Sequence, residues 1–313
     1  MHMVLILALL LQQPPTLTPG ASQPLLDRPR LALGISQTGK YLVVAEPDVL
    51  EIRDGATLEL LKELMGRWTA FGFDERDEHF LVVGPKVRRY LTRDWSLPFE
   101  GELESAKFAE MKNAKPDPLE GKFPPLKPGQ ALVLPDLDFY FVNKTGGISL
   151  VGIADGKLEM KAESLSTEEK LQGISGMTAG ALFVTARGGG SRISLRGKVY
   201  GLVGCNNPIL TAAIPGVAVV VGTDGEAIYT PSSWKVFGAR SGQTNACATL
   251  DAKSGWVFVG DRDGLRGWWV SDFKTEVRIL NSKSPVLQVL AASESRALYT
   301  LERTSLRRWA ISD

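Results

Sequence analysis

The sequence contains few side chains of the types that carry out covalent or metal-dependent chemistry. Its 313 residues include two histidines, His2 and His79, and two cysteines, Cys205 and Cys247. Their positions do not give the Cys/His spacing of a usual zinc site. There is also no glycine-rich phosphate loop after a strand, no serine nucleophile elbow and no pair of carboxylates at a catalytic spacing. We therefore predict no catalytic residues, no cofactor and no metal site.

The chemistry of the two cysteines depends on the compartment. An oxidising compartment would permit a disulfide between Cys205 and Cys247, provided that their Cα atoms lie within about 7 Å of each other. The alternative is a pair of small buried thiols. A thiol nucleophile would need His79 as its base, and His79 lies in a different unit of the repeat described below. The disulfide and the buried thiols both stay open at this point.

Two glycine-containing motifs have features of ion-binding loops. The run Gly188–Gly190 lies between Arg187 and Arg192, an arrangement that forms an anion-binding nest in some proteins. Residues 222–225 and 260–264 alternate Gly and Asp as calcium loops do, but they lack the closing glutamate. Such sequences are also typical of tight hairpin turns, and we interpret both motifs in that way.

The composition is that of an ordinary globular chain. Hydrophobic residues make up 44% and charged residues 23%, and 36 basic against 35 acidic residues give a net charge of +1. This balance provides no strong field for nucleic acid or an anionic membrane. We therefore expect the partner to be another protein and not nucleic acid. The oligomeric state is not determined by these numbers.

The first 23 residues have the pattern of an export signal. The apolar run at residues 4–11 is within the range of a signal-peptide core and shorter than the ~20 residues of a spanning helix. Small residues at 20–22 offer a cleavage zone, although no Lys or Arg precedes the apolar run. We predict a signal peptide at residues 1–21 and a secreted or periplasmic protein with no transmembrane segment. The alternative is an apolar tail or a short buried helix.

Seven short β-branched or aromatic runs recur along the chain, mostly about 40 residues apart. They are YLVVA from Tyr41, FLVV from Phe80, FYFV from Phe139, ALFVT from Ala181, VAVVV from Val217, WVFV from Trp256 and ALYT from Ala297. A strand-like segment and a polar turn precede each run, and one or two further strand-like segments follow it. Four antiparallel strands in about 40 residues form one blade of a β-propeller. The sequence therefore predicts an all-β protein with one seven-bladed propeller at residues 22–313.

The last repeat unit is one strand short. It ends at Asp313, directly after its third strand-like segment. Residues 22–27 are of strand length and belong to no other unit. We therefore predict that they supply the missing outer strand, which would join the chain ends and close the ring. The alternative is two separate β domains or a β-sandwich.

The repeat units resemble those of the WD-repeat and YVTN-type propellers. The resemblance lies in residues 35–44, which are followed by residues 50–54, and it recurs at residues 265–272 and 306–313. The Gly-His pair of WD repeats is absent, and Arg53-Asp54 stands where the Trp-Asp pair is expected. The resemblance covers residues 22–313 and indicates no particular subfamily. It implies a rigid protein-binding platform, although some exported relatives are enzymes.

The longest departure from the repeat is a segment rich in proline and lysine at about residues 110–130. Five of the 18 prolines fall between Pro116 and Pro128, and residues 125–128 fit the PxxP pattern of polyproline-II ligands. One interpretation is an extended surface loop. The other is a partner-binding loop, whose candidate contact residues are Lys115, Lys122, Pro125, Lys127 and Pro128.

A second candidate binding region is one face of the predicted propeller. The turns between second and third strands share this face with the links between blades. Blades two to four bring the basic residues Lys86, Arg88, Lys144, Arg187 and Arg192. Blades five, six, seven and one bring the acidic residues Asp224, Glu226, Asp261, Asp263, Glu302, Glu46 and Asp48. We predict that one side of the face is basic and the other acidic; the alternative is ordinary solvated turn charges.

Three functions are compatible with this sequence. The first is an exported propeller that binds a protein or another ligand and has no intrinsic catalysis. The second is a lactonase-like or glycan-processing hydrolase at the mouth of the channel, which would require carboxylates that converge from several blades. The third is a structural subunit of a larger exported complex. A propeller fold by itself does not choose between them.

Overall fold

The fold consists of strands and turns. The computed structural model describes residues 15–103, 131–134, 136–142, 148–164, 171–178, 181–186, 190–195, 198–206, 208–214, 217–230, 235–241, 244–282 and 284–312. These parts of the chain contain 28 strands and no α-helix, as the sequence predicts. They accordingly include no helix of the length and apolarity that crossing a bilayer requires.

The described strands form seven antiparallel sheets of four strands each, which we number in chain order. Sheet 1 contains β2 (Ala32–Ile35), β3 (Tyr41–Ala45), β4 (Val49–Asp54) and β5 (Leu60–Met65). Sheet 2 contains β6 (Ala70–Phe73), β7 (His79–Val83), β8 (Lys86–Leu91) and β9 (Phe99–Glu102). Sheet 3 contains β10 (Ala131–Val133), β11 (Phe139–Val142), β12 (Ile148–Ala154) and β13 (Lys157–Ser164).

The second half of the chain repeats this arrangement. Sheet 4 contains β14 (Leu171–Thr178), β15 (Ala181–Ala186), β16 (Gly190–Leu195) and β17 (Lys198–Asn206). Sheet 5 contains β18 (Pro208–Ile214), β19 (Val217–Gly222), β20 (Gly225–Thr230) and β21 (Lys235–Ser241). Sheet 6 contains β22 (Cys247–Asp251), β23 (Trp256–Asp261), β24 (Gly264–Trp269) and β25 (Asp272–Asn281). Sheet 7 contains β26 (Gln288–Ala292), β27 (Ala297–Leu301) and β28 (Ser305–Ser312), together with the N-terminal strand β1 (Thr16–Pro24).

Strand β1 pairs antiparallel with β28 and is the outer strand of sheet 7. Its register runs from Thr16 opposite Ser312 to Pro24 opposite Ser305, with an irregularity between Pro19 and Ser22. The N-terminal segment therefore completes the last sheet, but it begins six residues earlier than the sequence prediction of residues 22–27. The prediction placed the strand too late because Pro19, Gly20 and the polar residues around them do not have the usual composition of a strand interior.

Where the structure describes the side chains, neighbouring sheets pack face to face, and the second strands β3, β7, β23 and β27 are buried on both sides. In β3, Tyr41 and Val43 pack in a cluster with sheet 2, whereas Leu42 and Val44 pack in a cluster with sheet 7. The same alternation divides β23 between clusters with sheets 7 and 5. Successive residues of a strand point to opposite faces, so a strand between two neighbouring sheets must be apolar throughout. This burial explains the continuous apolar runs that reveal the repeat.

The first strands of consecutive sheets contact one another. β6 contacts β2 and β10, β14 contacts β10 and β18, and β22 contacts β18 and β26. β26 in turn contacts β2. In a four-stranded antiparallel sheet, the turn between the second and third strands lies at the same edge as the links to the neighbouring sheets. We call this edge the link face.

Turns at the opposite edge join neighbouring sheets. The backbone N–H groups of Gln37 and Thr38, in the first turn of sheet 1, donate to the carboxylate of Asp77 in sheet 2 over 2.8 and 3.1 Å. The Thr38 hydroxyl also donates to this carboxylate. Arg296 of sheet 7 pairs with the buried Asp251 of sheet 6 at 2.9 Å. These contacts fix the orientation of adjacent sheets and thereby the shape of the link face.

Candidate partner-binding face

The two described basic residues of the predicted binding face are neutralised by carboxylates of their own sheet. Lys86 Nζ lies 2.6 Å from Glu100 Oε1, and Arg88 Nε lies 2.8 Å from Glu100 Oε2. These cations lower the pKa of Glu100, and the Glu100 carboxylate raises the pKa of Lys86. Glu102 lies a further 3.7 Å from the Lys86 ammonium. The pairing weakens the positive potential of sheet 2 at the link face.

The other predicted basic residues lie wholly or partly outside the described part of the chain. Lys144 and Arg187 lie outside the described residues, as do the side chain of Arg192 and the whole segment from 104 to 130. The segment includes Lys115, Lys122, Pro125, Lys127 and Pro128 of the predicted partner-binding loop. The basic side of the face and the loop therefore stay predictions.

On the predicted acidic side, exposed and buried carboxylates alternate. Asp224 and Asp263 are exposed, whereas Asp261 is 9% exposed. Both carboxylate oxygens of Asp261 lie 2.9 Å from Arg278 Nη1, and its Oδ1 also accepts the Asp263 N–H over 2.8 Å. Asp261 is therefore bound within its own sheet, and only part of the predicted acidic side is exposed to solvent.

A buried arginine connects sheets 5 and 6 below this surface. Arg266 is 2% exposed, and its guanidinium lies 2.8 Å from Glu226 Oε1 and 2.7 Å from Glu276 Oε2. Asn245, in the link into sheet 6, accepts from Arg266 and donates to Glu226 over 3.2 Å. The pairing of opposite charges and the shared hydrogen bonds offset the desolvation of these buried groups. Through Asn245, this network holds the link into sheet 6 against Glu226 of sheet 5.

Three carboxylates occupy equivalent places in consecutive sheets. Asp261 of sheet 6, Glu302 of sheet 7 and Glu46 of sheet 1 each stand where the second strand ends, and each is buried. Glu302 accepts hydrogen bonds from Ser282 and Ser305, both over 3.1 Å. Like Asp261, it is therefore held by close hydrogen bonds. The sequence reveals these carboxylates as turn charges but not their burial.

A cavity of about 500 Å³ opens where sheet 7 meets sheet 1. It is lined by link residues 27–30, by Leu287, and by Glu302 and Arg303. Arg303 binds Asp27 through two contacts of 2.8 and 2.9 Å, which lower the pKa of the Asp27 carboxyl. This ion pair spans the link between β1 and β2 and the second turn of sheet 7. It joins the segment that follows β1 to the turn that precedes β28, at the side of the cavity.

Arg30 lies in the wall of this cavity with weak contacts to the protein. Its side chain is 3% exposed, and its Nη2 lies 3.7 Å from Glu46 Oε1. Nη1 lies 3.4 Å from two carbonyl oxygens, those of Arg28 and Arg303, and the buried Nε has no hydrogen-bond partner. Arg28 lies 3.6 Å from the other oxygen of Glu46. Charge-assisted hydrogen bonds are normally about 2.7–2.9 Å long, so this group of two arginines and one glutamate is incompletely satisfied.

Three exposed leucines lie in the cavity wall or next to its lining segment in sequence. Leu26 and Leu31, which flank the lining segment in sequence, are 66% and 53% exposed, and Leu287 in the cavity wall is 40% exposed. Large apolar side chains at the surface mark interaction sites when they occur together with a concave surface. Sequence reasoning did not single out this region. In the sequence, the region is marked by Arg28 and Arg30 on either side of Pro29, between Leu26 and Leu31.

The thiol of Cys247 and the cluster of Asp74, Glu78 and His79 are both part of the packed structure of the fold. Cys247 is a free thiol 4% exposed, and burial raises its pKa to about 12. The side chain of Cys205 lies outside the described residues, so a disulfide in an oxidising compartment stays a prediction. Asp74, Glu78 and His79 carry ligand atoms within 4.8 Å of one another. Asp74 uses this proximity to bind the Glu78 N–H and the His79 ring, both over 2.8 Å, which stabilises a turn.

Comparison with solved structures gives the fold class. The structure is similar to the β-propeller domain of Cps50 (Swd1) from Myceliophteria thermophila, with a TM-score of 0.68. The match covers 96% of this chain and 100% of that domain at 13% sequence identity. No protein-family model and no curated protein sequence matches the chain. The chain therefore has a β-propeller fold like that of this WD40-type domain, and the similarity concerns the fold alone.

Proposed function

We propose that this chain is a seven-bladed β-propeller that acts as a platform for a protein partner, without catalysis of its own. The observation that carries the proposal is the combination, on the link face, of a cavity, exposed leucines and an incompletely satisfied arginine. Propellers of the WD40 class typically bind proteins, which agrees with this surface. The bound carboxylates Asp261 and Glu302 make the surrounding face rigid, as a preformed binding site requires.

Two features support a closed ring of seven blades. The seven four-stranded sheets follow one another in chain order, and contacts between first strands continue from β26 to β2. In addition, β1 brings the N-terminal segment into the same sheet as the C-terminal strand β28. Tyr299 of sheet 7 donates to the Gly55 carbonyl of sheet 1 over 2.7 Å, which links the two sheets at their seam.

Export belongs to the proposal as well. It is supported by the apolar run of residues 4–11. Because Thr16–Pro24 forms β1, a mature exported domain would keep residues 15–21, and cleavage would occur before Pro15 instead of near residue 21. Subcellular fractionation with intact mass measurement of the recovered protein tests both statements. Protein found only inside the cell would contradict export, and cleavage after residue 21 would contradict the boundary.

The platform function is tested by quantitative crosslinking in the native cells. We expect one or a few proteins to crosslink to photoreactive groups introduced at Leu31 and Leu287 on the link face. The matched control is a photoreactive group at Leu60, which is 48% exposed on the outer strand β5. Equal crosslinking from all three positions, or none from the link-face positions, would contradict a partner-binding link face.

A further inference from the structure

We propose that the cavity between sheets 7 and 1 binds the carboxylate of an aspartate or glutamate flanked by apolar residues in a partner polypeptide. Arg28 and Arg30 donate to the carboxylate, and the exposed leucines contact its apolar neighbours. This inference rests on the proposed platform function and specifies the chemistry of its ligand. Arg30 acts as the buried anchor and Arg28 as the flexible second donor at the cavity mouth.

The first argument is the state of Arg30. A guanidinium carries five N–H donors, and a charged group that loses water must regain hydrogen bonds or counter-charge. The side chain of Arg30 is only 3% exposed. Its shortest hydrogen bonds, to two carbonyl oxygens, are nevertheless 3.4 Å long, and its Nε has no acceptor. A carboxylate that enters the cavity would supply two acceptor oxygens in the planar geometry that a guanidinium prefers.

The second argument comes from the equivalent positions of the neighbouring sheets. The carboxylates of Asp261 and Glu302 are held by donors at 2.8–3.1 Å, and these donors come from their own surroundings. Glu46, the equivalent residue of sheet 1, lies 3.6 and 3.7 Å from its two arginines, and its Oε1 accepts no hydrogen bond. Of these three positions, the one at Glu46 is therefore the one whose charged groups keep unused hydrogen-bonding capacity beside a cavity.

The third argument is the local charge. Arg303 and Asp27 neutralise each other through two close contacts. Arg28 and Arg30 share the single carboxylate of Glu46, and Arg307 lies 3.8 Å from the lining carboxylate of Glu302. Together with the Arg303–Asp27 pair, four arginines face three carboxylates, so the group has one excess positive charge. A monoanionic carboxylate compensates that charge. A lysine or arginine side chain of a partner would instead add to it, which disfavours a basic ligand.

The fourth argument concerns the type of molecule. A cavity of about 500 Å³ is large enough for a side chain and part of its backbone, and it opens onto the link face. Leu287 presents apolar surface in its wall, and the exposed Leu26 and Leu31 flank its lining segment in sequence. A free small carboxylate would leave these leucines uncovered, whereas a peptide with apolar residues beside the acid would cover them. The geometry therefore favours an acidic peptide segment.

The test is an NMR titration of the protein from residue 15 onward, with ¹⁵N-labelled arginine. The probes are the capped tripeptides acetyl-Leu-Glu-Leu-amide and acetyl-Leu-Gln-Leu-amide, and the signal is the Nε–H resonance that disappears in Arg30→Lys. We expect the Glu peptide to shift this resonance in a saturable manner. The Gln peptide should bind at least tenfold more weakly, because it lacks the charge and one acceptor. Equal affinities for the two peptides, or saturation without a shift of Arg30, would overturn the proposal.

Substitutions then test whether peptide binding depends on the cavity or on other parts of the surface. Arg28→Gln and Leu287→Ser should each weaken binding of the Glu peptide by about fivefold or more. The matched controls are Arg93→Gln, an arginine with a 79% exposed side chain at the opposite edge, and Leu60→Ser on β5; both should leave the affinity unchanged. A thermal unfolding curve for each variant identifies loss of folding.

The outcomes distinguish this inference from the platform function. A protein partner that crosslinks to the link face but binds equally well to Arg28→Gln and Arg30→Lys would leave the platform intact and refute the acidic-peptide site. Preferential binding of acetyl-Leu-phosphoserine-Leu-amide by more than tenfold would refute it in favour of a phosphate ligand. The absence of both crosslinking and binding of the Glu peptide would refute the two proposals together.

Discussion

The carboxylate of Asp77 joins two sheets through hydrogen bonds that cross between them. Asp77 is 6% exposed, has a φ of 57°, and accepts from two backbone N–H groups and one hydroxyl of the first turn of sheet 1. Asn tolerates this backbone region but replaces one acceptor oxygen by a donor. We expect Asp77→Asn to lower the free energy of unfolding by about 1–3 kcal/mol. Asp77→Ala should cost about 1 kcal/mol more, because Ala adds the strain of a positive φ.

Urea unfolding monitored by tryptophan fluorescence measures both values. The control is Asp48→Asn, since the side chain of Asp48 is 68% exposed and its ion pair with Arg67 is 4.0 Å long. A surface substitution of this kind should change the free energy by less than about 0.5 kcal/mol. If Asp77→Asn were as harmless as Asp48→Asn, the bond between the two turns would not contribute to stability.

A second prediction for a single residue concerns the protonation and reactivity of the Cys247 thiol. Burial raises its pKa from 9.0 to about 12, so the folded state disfavours the thiolate. Its contribution to stability is therefore complete below pH 9.0 and is lost progressively as the pH rises towards 12. In a Cys205→Ser background, we expect native Cys247 to resist iodoacetamide at pH 8 and to react within minutes in urea. Rapid labelling of the native protein would contradict a buried, protonated thiol.

Among the elements, strand β1 contributes to two core clusters and pairs with the C-terminal strand β28. Leu17 packs in the cluster between sheets 6 and 7, and Ala21 packs in the cluster between sheets 7 and 1. A chain that begins at Ser22 loses these contacts and the pairs from Thr16 to Pro19 with β28. It also leaves the edge of β28 open to other chains. We expect this truncation to cost about 2–4 kcal/mol, or roughly 5–10 °C in Tm.

Differential scanning calorimetry of two truncations tests the role of β1. The chain that begins at Pro15 is the control, and we expect it to show the higher Tm because it keeps all of β1. The chain that begins at Ser22 should also aggregate more readily when heated. Equal Tm values for the two chains would show that residues 15–21 are dispensable for the domain.

At the scale of the whole molecule, a closed ring predicts that the position of the chain ends can be changed. Thr16 and Ser312 are register partners, so their Cα atoms lie about 5 Å apart, and a short linker can join them. The turn at Asp155 and Gly156 is exposed, and nothing lies within 4 Å of a Cβ added at Gly156. We expect a circular permutant that begins at Gly156 and ends at Asp155 to fold with a Tm within a few degrees of the parent.

The control is a permutant with the same linker but opened between Val43 and Val44. Both residues lie in β3 and are completely buried, on opposite faces of the strand. Opening the chain there should prevent cooperative folding, as judged by circular dichroism and calorimetry. If the Gly156 permutant also failed to fold, the ends of the chain would not be adjacent in solution, and the closed ring would be incorrect.

The sequence predicted the repeated β architecture well and the candidate site poorly. Residues such as Tyr41–Ala45 are apolar on both faces because the strand lies between two sheets, and the same burial recurs in the second strands β7, β23 and β27. The strand that completes sheet 7 was placed too late because Pro19 and Gly20 hide its beginning. Arg28 and Arg30 were not recognised, because charged residues in a link look the same in sequence whether they are solvated or buried.

The sequence by itself thus determined the repeat, the all-β class and the absence of strong net charge, because these depend on local composition and on a burial pattern that recurs along the chain. The tertiary structure alone decided which charges are bound and which retain unused donors. Arg303 meets Asp27 across 276 positions of sequence, and Arg266 joins residues of two sheets. Such contacts arise only when the ends of distant strands meet on one face, where the distance between side chains, and not their spacing in sequence, determines desolvation and pairing.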